Sequence, residues 1–424
     1  MSPTSPAAGP STGACVLMFI GVALAMAGNY YVYDSIGPVA EQLSRLRGFS
    51  DSQIGILNAI YSLPNIFMVL VGGVLVDRFG ARAVVLGTTA LCLIGAVLTA
   101  VDSTFGVMAA GRLIFGIGAE TMIVAITVAL AQWFTGSYFA FMFAANLSFA
   151  RLGSYAADRS PTFAADLYAQ GWQGPLWLAA AFALVAVLGA LGYFAVDRRE
   201  AARGTLVVAK PSDRIDWGNL LRFRREYWLI VALCVAFYAV IFPFRSTFAI
   251  KFFQEARGLS LEQAGLLNSY VFLAAAFATP LFGFLTDKIG RHADLLVIGA
   301  LPLPLSFVLL EFAERGLGLN LSTVCLGLSF SLVPAVLWPA VARYVAPSQL
   351  GTAYGLMTMM QNLGLTVANV AVGYANDWSG AGPDHPEGYS TMLLMFGLMG
   401  TVAFVLALLL RLSGRLAPAA PGRG

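Results

Sequence analysis

Charge is scarce in this chain. Only 11% of its 424 residues are charged and 58% are hydrophobic, where soluble domains carry about 25% and 45–50%. That imbalance excludes an ordinary water-soluble protein. Histidine is nearly missing: His292 and His385 are the only two, both in predicted loops, and they cannot build a metal centre. The four cysteines, Cys15, Cys92, Cys234 and Cys325, lie singly in apolar stretches, which argues against a disulfide framework or a thiolate metal site. The net charge of +3 is too small, and the basic residues too dispersed, for a nucleic-acid-binding protein. No nucleotide-phosphate loop, nucleophile elbow or metal-ligand cluster occurs. The expectation is a protein that is not an enzyme and has no cofactor.

Long apolar runs are what the chain has instead. A helix needs about 20 mostly apolar residues to cross a bilayer, and twelve runs qualify: 14–37, 51–76, 83–101, 104–132, 137–159, 174–196, 227–252, 261–285, 293–312, 317–344, 349–375 and 389–412. Helices satisfy their own backbone in lipid, and no strand alternation competes with this reading. The expected fold is an all-α membrane protein with twelve transmembrane helices in two pseudo-symmetric six-helix bundles. Its parts are an N-terminal tail (1–13), a first bundle (14–196), a polar linker (197–226), a second bundle (227–412) and a C-terminal tail (413–424). The start, rich in Ser, Pro, Ala and Gly, lacks the basic region of a signal peptide, so the first run is read as a retained helix. With both termini cytoplasmic, the inner segments hold Arg78, Arg82, Arg198, Arg199, Arg203, Lys210, Arg214, Arg222, Arg224, Arg225, Lys288, Arg291, Arg343, Arg411, Arg415 and Arg423, and the outer side holds Arg45, Arg47, Arg159, Arg257 and Arg315. That is the positive-inside asymmetry.

The halves repeat. Gly73-Val-Leu-Val-Asp77-Arg78-Phe-Gly80-Ala-Arg82 returns 210 residues later as Gly283-Phe-Leu-Thr-Asp287-Lys288-Ile-Gly290-Arg291-His292. Upstream, Ser50, Gln53, Gly55, Leu57 and Asn58 match Ser260, Gln263, Gly265, Leu267 and Asn268 at the same offset. Repeated halves around charged turns are the build of a secondary transporter. Gly73 and Gly283 would allow close helix approach, and Gly80 and Gly290 a tight turn. Asp77 and Asp287 would face a neighbouring helix N-terminus or an arginine in only one state of the transport cycle. The other reading is a positive-inside turn that happens to recur.

These phrases resemble the loop motif of the major facilitator superfamily, and the resemblance covers essentially the whole chain. Gly111-Arg112-Leu-Ile-Phe-Gly116-Ile-Gly118 resembles the Arg/Gly motif of that superfamily's fourth helix. Longer stretches resemble the branch that contains the lysosomal dipeptide uniporter. They run through Glu120, through Ser148-Phe-Ala-Arg151-Leu-Gly-Ser154, from Leu326 to Trp338-Pro339, and from Gln349 through Tyr354 to Gln361-Asn362-Leu-Gly-Leu365. Tyr33-Asp34 and Phe242-Pro243-Phe244 fit as well. The resemblance implies a midplane site, alternating access and facilitated uniport of dipeptides. It also implies an accessory glycoprotein, which nothing in this sequence requires, and a monomer in the bilayer is expected. Two features depart from the branch. Arg245 stands where an apolar residue is expected, and the short N-terminal tail lacks an acidic dileucine sorting signal. The expected location is therefore a bacterial inner membrane.

Charges inside a bilayer are costly, so they mark cavities or partners. Glu120 and Arg151 fall about midway along the fourth and fifth runs. They can clamp a zwitterion, acid to ammonium and guanidinium fork to carboxylate, or neutralise each other as a buried pair. The resemblance implies the first role. Asp34 and Glu120 are candidates for proton coupling, Asp34 alternatively being part of an outer gate or an acid at the interface. Arg112 can pair with Asp34 or serve structure alone. Arg245 can add carboxylate affinity or snorkel outward with Lys251.

Uncharged candidates for substrate contact are Tyr30, Tyr61, Asn268, Tyr270, Gln361 and Asn362, with Asn65 beside Pro64. Amides can bind a peptide backbone without reading its side chains, or merely join helices. Trp338, between Pro334 and Pro339, can floor the cavity or belong to an interfacial belt. The cargo expected is a small zwitterion, most simply a dipeptide. The alternative is a monocarboxylate or other organic anion, with or without proton coupling, held by Arg151 and Arg245.

Overall fold

The computed structural model describes residues 10–101, 104–134, 137–205, 223–346 and 349–416. The first nine residues of the tail, the middle of the predicted linker (206–222, with Lys210, Arg214 and Arg222), and the tail from 417 on lie outside the described residues. So do the side chains of Gly283 and Asp287.

Lipid offers no partner to a backbone N–H or C=O, and every apolar run is a helix. The spans are α1 (Thr12–Asp34), α3 (Asp51–Phe79), α4 (Ala81–Ala100), α5 (Phe105–Trp133), α6 (Ser137–Phe163) and α8 (Gln173–Ala202), with short α2 (Ala40–Arg47) and α7 (Ala165–Ala169) in the connections. The second series is α9 (Arg225–Pro243) with α10 (Ala249–Glu255), α11 (Leu261–Ile289), α12 (His292–Ala300) with α13 (Pro302–Phe312), α14 (Leu317–Val341), α15 (Leu350–Ser379) and α16 (Tyr389–Leu416). Counting α9–α10 and α12–α13 as one span each gives the twelve transmembrane helices of the major facilitator fold, six in each half. Among the described residues, eight helical stretches are long and apolar enough to cross a membrane by composition alone, and a ninth, Asp51–Val69 with Val71–Phe79, is bent by 58°. The other three spans, α6, α11 and α15, carry rows of polar residues such as Asn146, Arg151 and Ser154, Asn268 and Ser269, and Gln361, Asn362 and Asn369. With the bent α3, these are the second and fifth spans of each half.

Two spans are interrupted. Proline has no N–H to continue a helix, and α9 passes at Pro243 into a π-helical turn, Phe244–Phe248, before α10 resumes. Phe244 fixes this turn in an aromatic cage, edge-on to Phe307 at 5.1 Å and to Phe396 at 5.7 Å. The break between α12 and α13 falls at Leu301–Pro302.

By packing, the chain forms two compact units. One comprises Met1–Ser35, Phe67–Ala157 and Asp166–Ser212, and the other Ile36–Ile66, Asp158–Ala165 and Asp213–Gly424. Each has its own apolar core. In the first unit it runs from Ala14 to Tyr193 and includes Met122, Ile126 and Leu130. In the second it runs from Tyr227 to Leu410 and includes Phe237, Phe252 and Val336. The second unit thus holds short α2, the first half of α3 and the last residues of α6 together with α9 to α16.

The repeated turns adopt matching backbones. Gly80 has φ 80° and Gly290 φ 68°, a region L side chains rarely enter. Close approach at Gly73, expected from the sequence, is not made there: a Cβ on Gly73 would meet nothing within 4 Å, while one on neighbouring Gly72 would lie 3.4 Å from the α5 backbone at Thr121. Arg82 reaches Asp197 of α8 at 3.5 Å, and Asp197 also accepts a hydrogen bond from Trp133 Nε1 at 2.8 Å. Asp77, Arg78 and Lys288 are exposed.

Candidate functional site

In the first unit, α6 passes α1 so tightly that a Cβ on Gly153 would lie 2.1 Å from the carbonyl oxygen of Ala27. Only glycine tolerates this approach. Arg151, two residues before Gly153, and Tyr30, three residues after Ala27, flank this contact. Tyr30 lies within electrostatic reach of Arg151, Glu120 and Asp34. Two further expected site residues and Asp34, one of the two candidates for proton coupling, therefore act on the Tyr30 phenol. Glu120 and Arg151 are both partly exposed, whereas Asp34 is buried. The cluster offers an acid, a guanidinium and a hydroxyl, the set needed to hold both ends of a zwitterion.

Arg112 is fully buried and donates to the carbonyls of Val32 (3.0 Å) and Tyr33 (3.1 Å). These are last-turn carbonyls of α1, where a cation is favoured, and that of Val32 also accepts from the Ser35 hydroxyl at 2.8 Å. Arg112 therefore secures the end of the helix that carries Tyr30.

The second unit contains a buried polar network at the end where Asp51 opens α3. Ser50 and Gln53 form a reciprocal capping box there (3.1 and 3.3 Å), and the repeat reproduces it with Ser260 and Gln263 at the start of α11 (3.1 and 3.2 Å). Asp377, from the end of α15, accepts the first N–H groups of α3, from Asp51 at 2.8 Å and Ser52 at 3.0 Å. The Asp51 carboxylate pairs with Lys251 and accepts from Asn376 at 2.7 Å. Lys251 also lies 3.7 Å from Glu255, which accepts from Tyr389 at 2.5 Å.

About two helical turns deeper along α3, Asn58 donates to the Ser246 carbonyl (3.2 Å) and to Thr247 Oγ1 (2.7 Å), and Thr247 donates to Asn369 of α15 (2.7 Å). Asn268 donates to the Arg245 carbonyl (3.0 Å) and to Asp158 (3.0 Å). Glycines permit both packings: a Cβ on Gly55 would lie 2.3 Å from the Asn369 carbonyl oxygen, and one on Gly265 2.3 Å from that of Asp158.

This network corrects two expectations. Arg245 does not snorkel: it is 2% exposed, ion-paired with Asp158, and stacked 3.8 Å over the Phe272 ring. Lys251, 5% exposed, does not snorkel either. Asn268, expected at the substrate, spends its amide on Asp158 and Arg245. Sequence reasoning passed over Asp51, Asp158, Asn369, Asn376 and Asp377, which take part in this network. The available signal was opposite charges at ends of spans that share one face of the membrane.

The remaining candidates divide. Trp338 is tied to its neighbours: its Nε1 donates to Tyr238 (3.0 Å), its carbonyl accepts from Tyr354 (3.1 Å), and its ring stacks with that of Tyr354. Gln361, half-buried, accepts from the Cys234 thiol at 3.5 Å, and Asn362 donates to the Thr358 carbonyl of its own helix. Tyr61 and Asn65 are buried, and Tyr270 is exposed.

A sequence profile of the Major Facilitator Superfamily matches residues 18–260 and 244–423. The chain is 33% identical over 377 residues to a Danio rerio protein named lysosomal dipeptide transporter MFSD1, covering 86% of this chain and 81% of that one. It is 31% identical over 368 residues to the Homo sapiens protein of that name, covering 83% and 78%. Among solved structures, a bacterial homolog to the human lysosomal transporter Spinster, in an inward-facing and unoccupied conformation, matches with a TM-score of 0.77 at 16% identity, over 97% of this chain and 100% of that one. That likeness is one of fold.

Proposed function

The chain belongs to the major facilitator superfamily, and from that premise we propose that this integral membrane transporter carries dipeptides by alternating-access uniport. The observation that carries the reading is the gathering of Glu120, Arg151 and Asp34 around Tyr30. Glu120 takes the substrate ammonium and Arg151 its carboxylate, and Tyr30 lies within electrostatic reach of both. The names of the relatives supply the substrate class, and the paired opposite charges supply a chemical reason for it. A simple organic anion would have no use for Glu120.

Alternating access gives the polar network around Asp51 its role. It closes the end of the protein where α3 begins, and substrate leaves or enters there only when Lys251–Asp51 and Arg245–Asp158 part. The basic end, with Arg78, Arg82 and Arg291, faces the cytoplasm, and the membrane is a bacterial inner membrane. The bundles 14–196 and 227–412 are the repeated halves of the machine.

A thermal-shift screen of dipeptides, free amino acids and organic acids tests the substrate class. Dipeptides raise the melting temperature, and both Arg151→Ala and Glu120→Gln abolish the rise without altering the unliganded transition. Unchanged stabilisation in both variants removes the clamp. In proteoliposomes, uptake of a labelled dipeptide runs down its own gradient and ignores an imposed proton gradient. Acceleration by the proton gradient removes uniport.

A further inference from the structure

A second cluster lies at the other end of the second unit, where three helix ends meet. Arg291 precedes α12, Arg343 follows α14 and Arg411 lies in the last turns of α16. Together with His292 and Tyr344 they line a cavity of about 260 Å³ whose floor includes Leu296 and Leu410. Asp294 is the acid of this cavity, shared by Arg291 at 2.6 Å and Arg411 at 2.5 Å. Three guanidinium groups face one carboxylate, which leaves positive charge in excess among the described side chains.

Arg343 is held differently. Its Nη2 lies 3.1 Å from His292 Nε2, and His292 Nδ1 lies 3.0 Å from the Gly290 carbonyl. A guanidinium only donates, so Nε2 is the acceptor and the imidazole proton sits on Nδ1. As an acceptor, the ring orients Arg343 without cancelling its charge. His292 occupies the repeat position of Arg82, which in the first half pairs with Asp197. The second half has exchanged an arginine–carboxylate contact for a histidine–arginine one, and an arginine is left for another anion.

The depth of the cavity identifies that anion. His292 begins one apolar stretch, His292–Phe312, and Arg411 lies near the end of another, Pro386–Ser413. The cavity is therefore at headgroup level. Beside it, Ile298 of α12 and Leu409 and Leu412 of α16 are exposed apolar side chains suited to acyl chains. Basic pockets between spanning helices bind anionic lipid headgroups, and the guanidinium fork matches phosphate oxygens. We propose that the Arg291–Arg343–Arg411 cavity binds the phosphate of an anionic phospholipid. The site is independent of the transporter's cargo.

The test compares the full chain in nanodiscs of phosphatidylcholine alone and of phosphatidylcholine with phosphatidylglycerol. The anionic lipid raises the melting temperature and stays bound through detergent extraction, as read by native mass spectrometry. Arg343→Gln and Arg411→Gln each weaken retention about fivefold. Arg45→Gln, an exposed arginine paired only with Glu41, leaves retention unchanged. Should Arg411→Gln misfold by stranding Asp294, exposed Arg343 carries the test alone. Equal retention by wild type and Arg343→Gln, or equal loss in Arg45→Gln, overturns the proposal. Inorganic phosphate in phosphatidylcholine nanodiscs leaves the transition unmoved. A rise as large as that from phosphatidylglycerol assigns the cavity to free phosphate and overturns the lipid.

Discussion

Asn58 and Asn268, 210 residues apart and matched by the sequence repeat, donate their amides to adjacent carbonyls of one π-helical turn, those of Ser246 and Arg245. The repeat thus converges on a feature that is not repeated. A π turn leaves carbonyls displaced from the regular ladder, and the paired amides take them.

Removing either amide leaves a buried carbonyl without that donor. Asn58→Ala and Asn268→Ala are each expected to cost about 1–3 kcal/mol, read as a lower melting temperature. Asn268→Ala is the more damaging, because its second acceptor is the charged Asp158 carboxylate, whereas that of Asn58 is the neutral Thr247 hydroxyl. Equal, negligible shifts would contradict a shared role in holding the turn.

The buried Arg245–Asp158 pair behaves as a unit. Arg245→Met or Asp158→Leu alone strands a charge and destabilises by about 3–5 kcal/mol. The double variant recovers most of that loss, because neither charge remains. A double-mutant cycle in chemical or thermal unfolding measures the coupling, and strict additivity would refute it.

Gly55→Ala and Gly265→Ala place a methyl against carbonyl oxygens that leave room for none. Both substitutions push the Asp51 end toward its open arrangement. A cysteine introduced at Ser62, which is fully buried, then reacts faster with a membrane-impermeant thiol reagent than it does in the glycine background. No gain in labelling from either alanine would show that these contacts do not close the path.

Arg151→Lys keeps the charge and loses the planar fork. If the guanidinium grips a carboxylate, loss of one charge-assisted hydrogen bond costs about 1.5–3 kcal/mol of affinity. The Michaelis constant for dipeptide uptake then rises more than tenfold while the melting temperature without substrate stays put.

The helices were legible because lipid enforces them, yet hydropathy marks the thickness of the membrane better than the ends of helices. The predicted run 174–196 continues as α8 to Ala202, since Asp197 and Glu200 keep helical geometry once outside the apolar layer. The π turn at Phe244–Phe248 was invisible, because one proline does not specify where a backbone resumes. Glu120 and Arg151 stood out as charges within apolar runs. Arg245 stood out in the same way, but its partner Asp158 looked like the polar end of a span, so the pairing could not be read. A long-range contact between two helix ends leaves no periodic trace in either helix.

Asp51 serves Lys251 and Asn376 with its side chain while its own N–H is held by Asp377. One residue is common to bonds that join α3, α10 and α15. Asp51 and Lys251 are both buried, so parting them leaves two buried charges without their nearest partner. On the proposed alternating access, this end therefore does not loosen by degrees. It waits, and then lets go at once, so that passage through it is a matter of rare and abrupt events with long quiet intervals between.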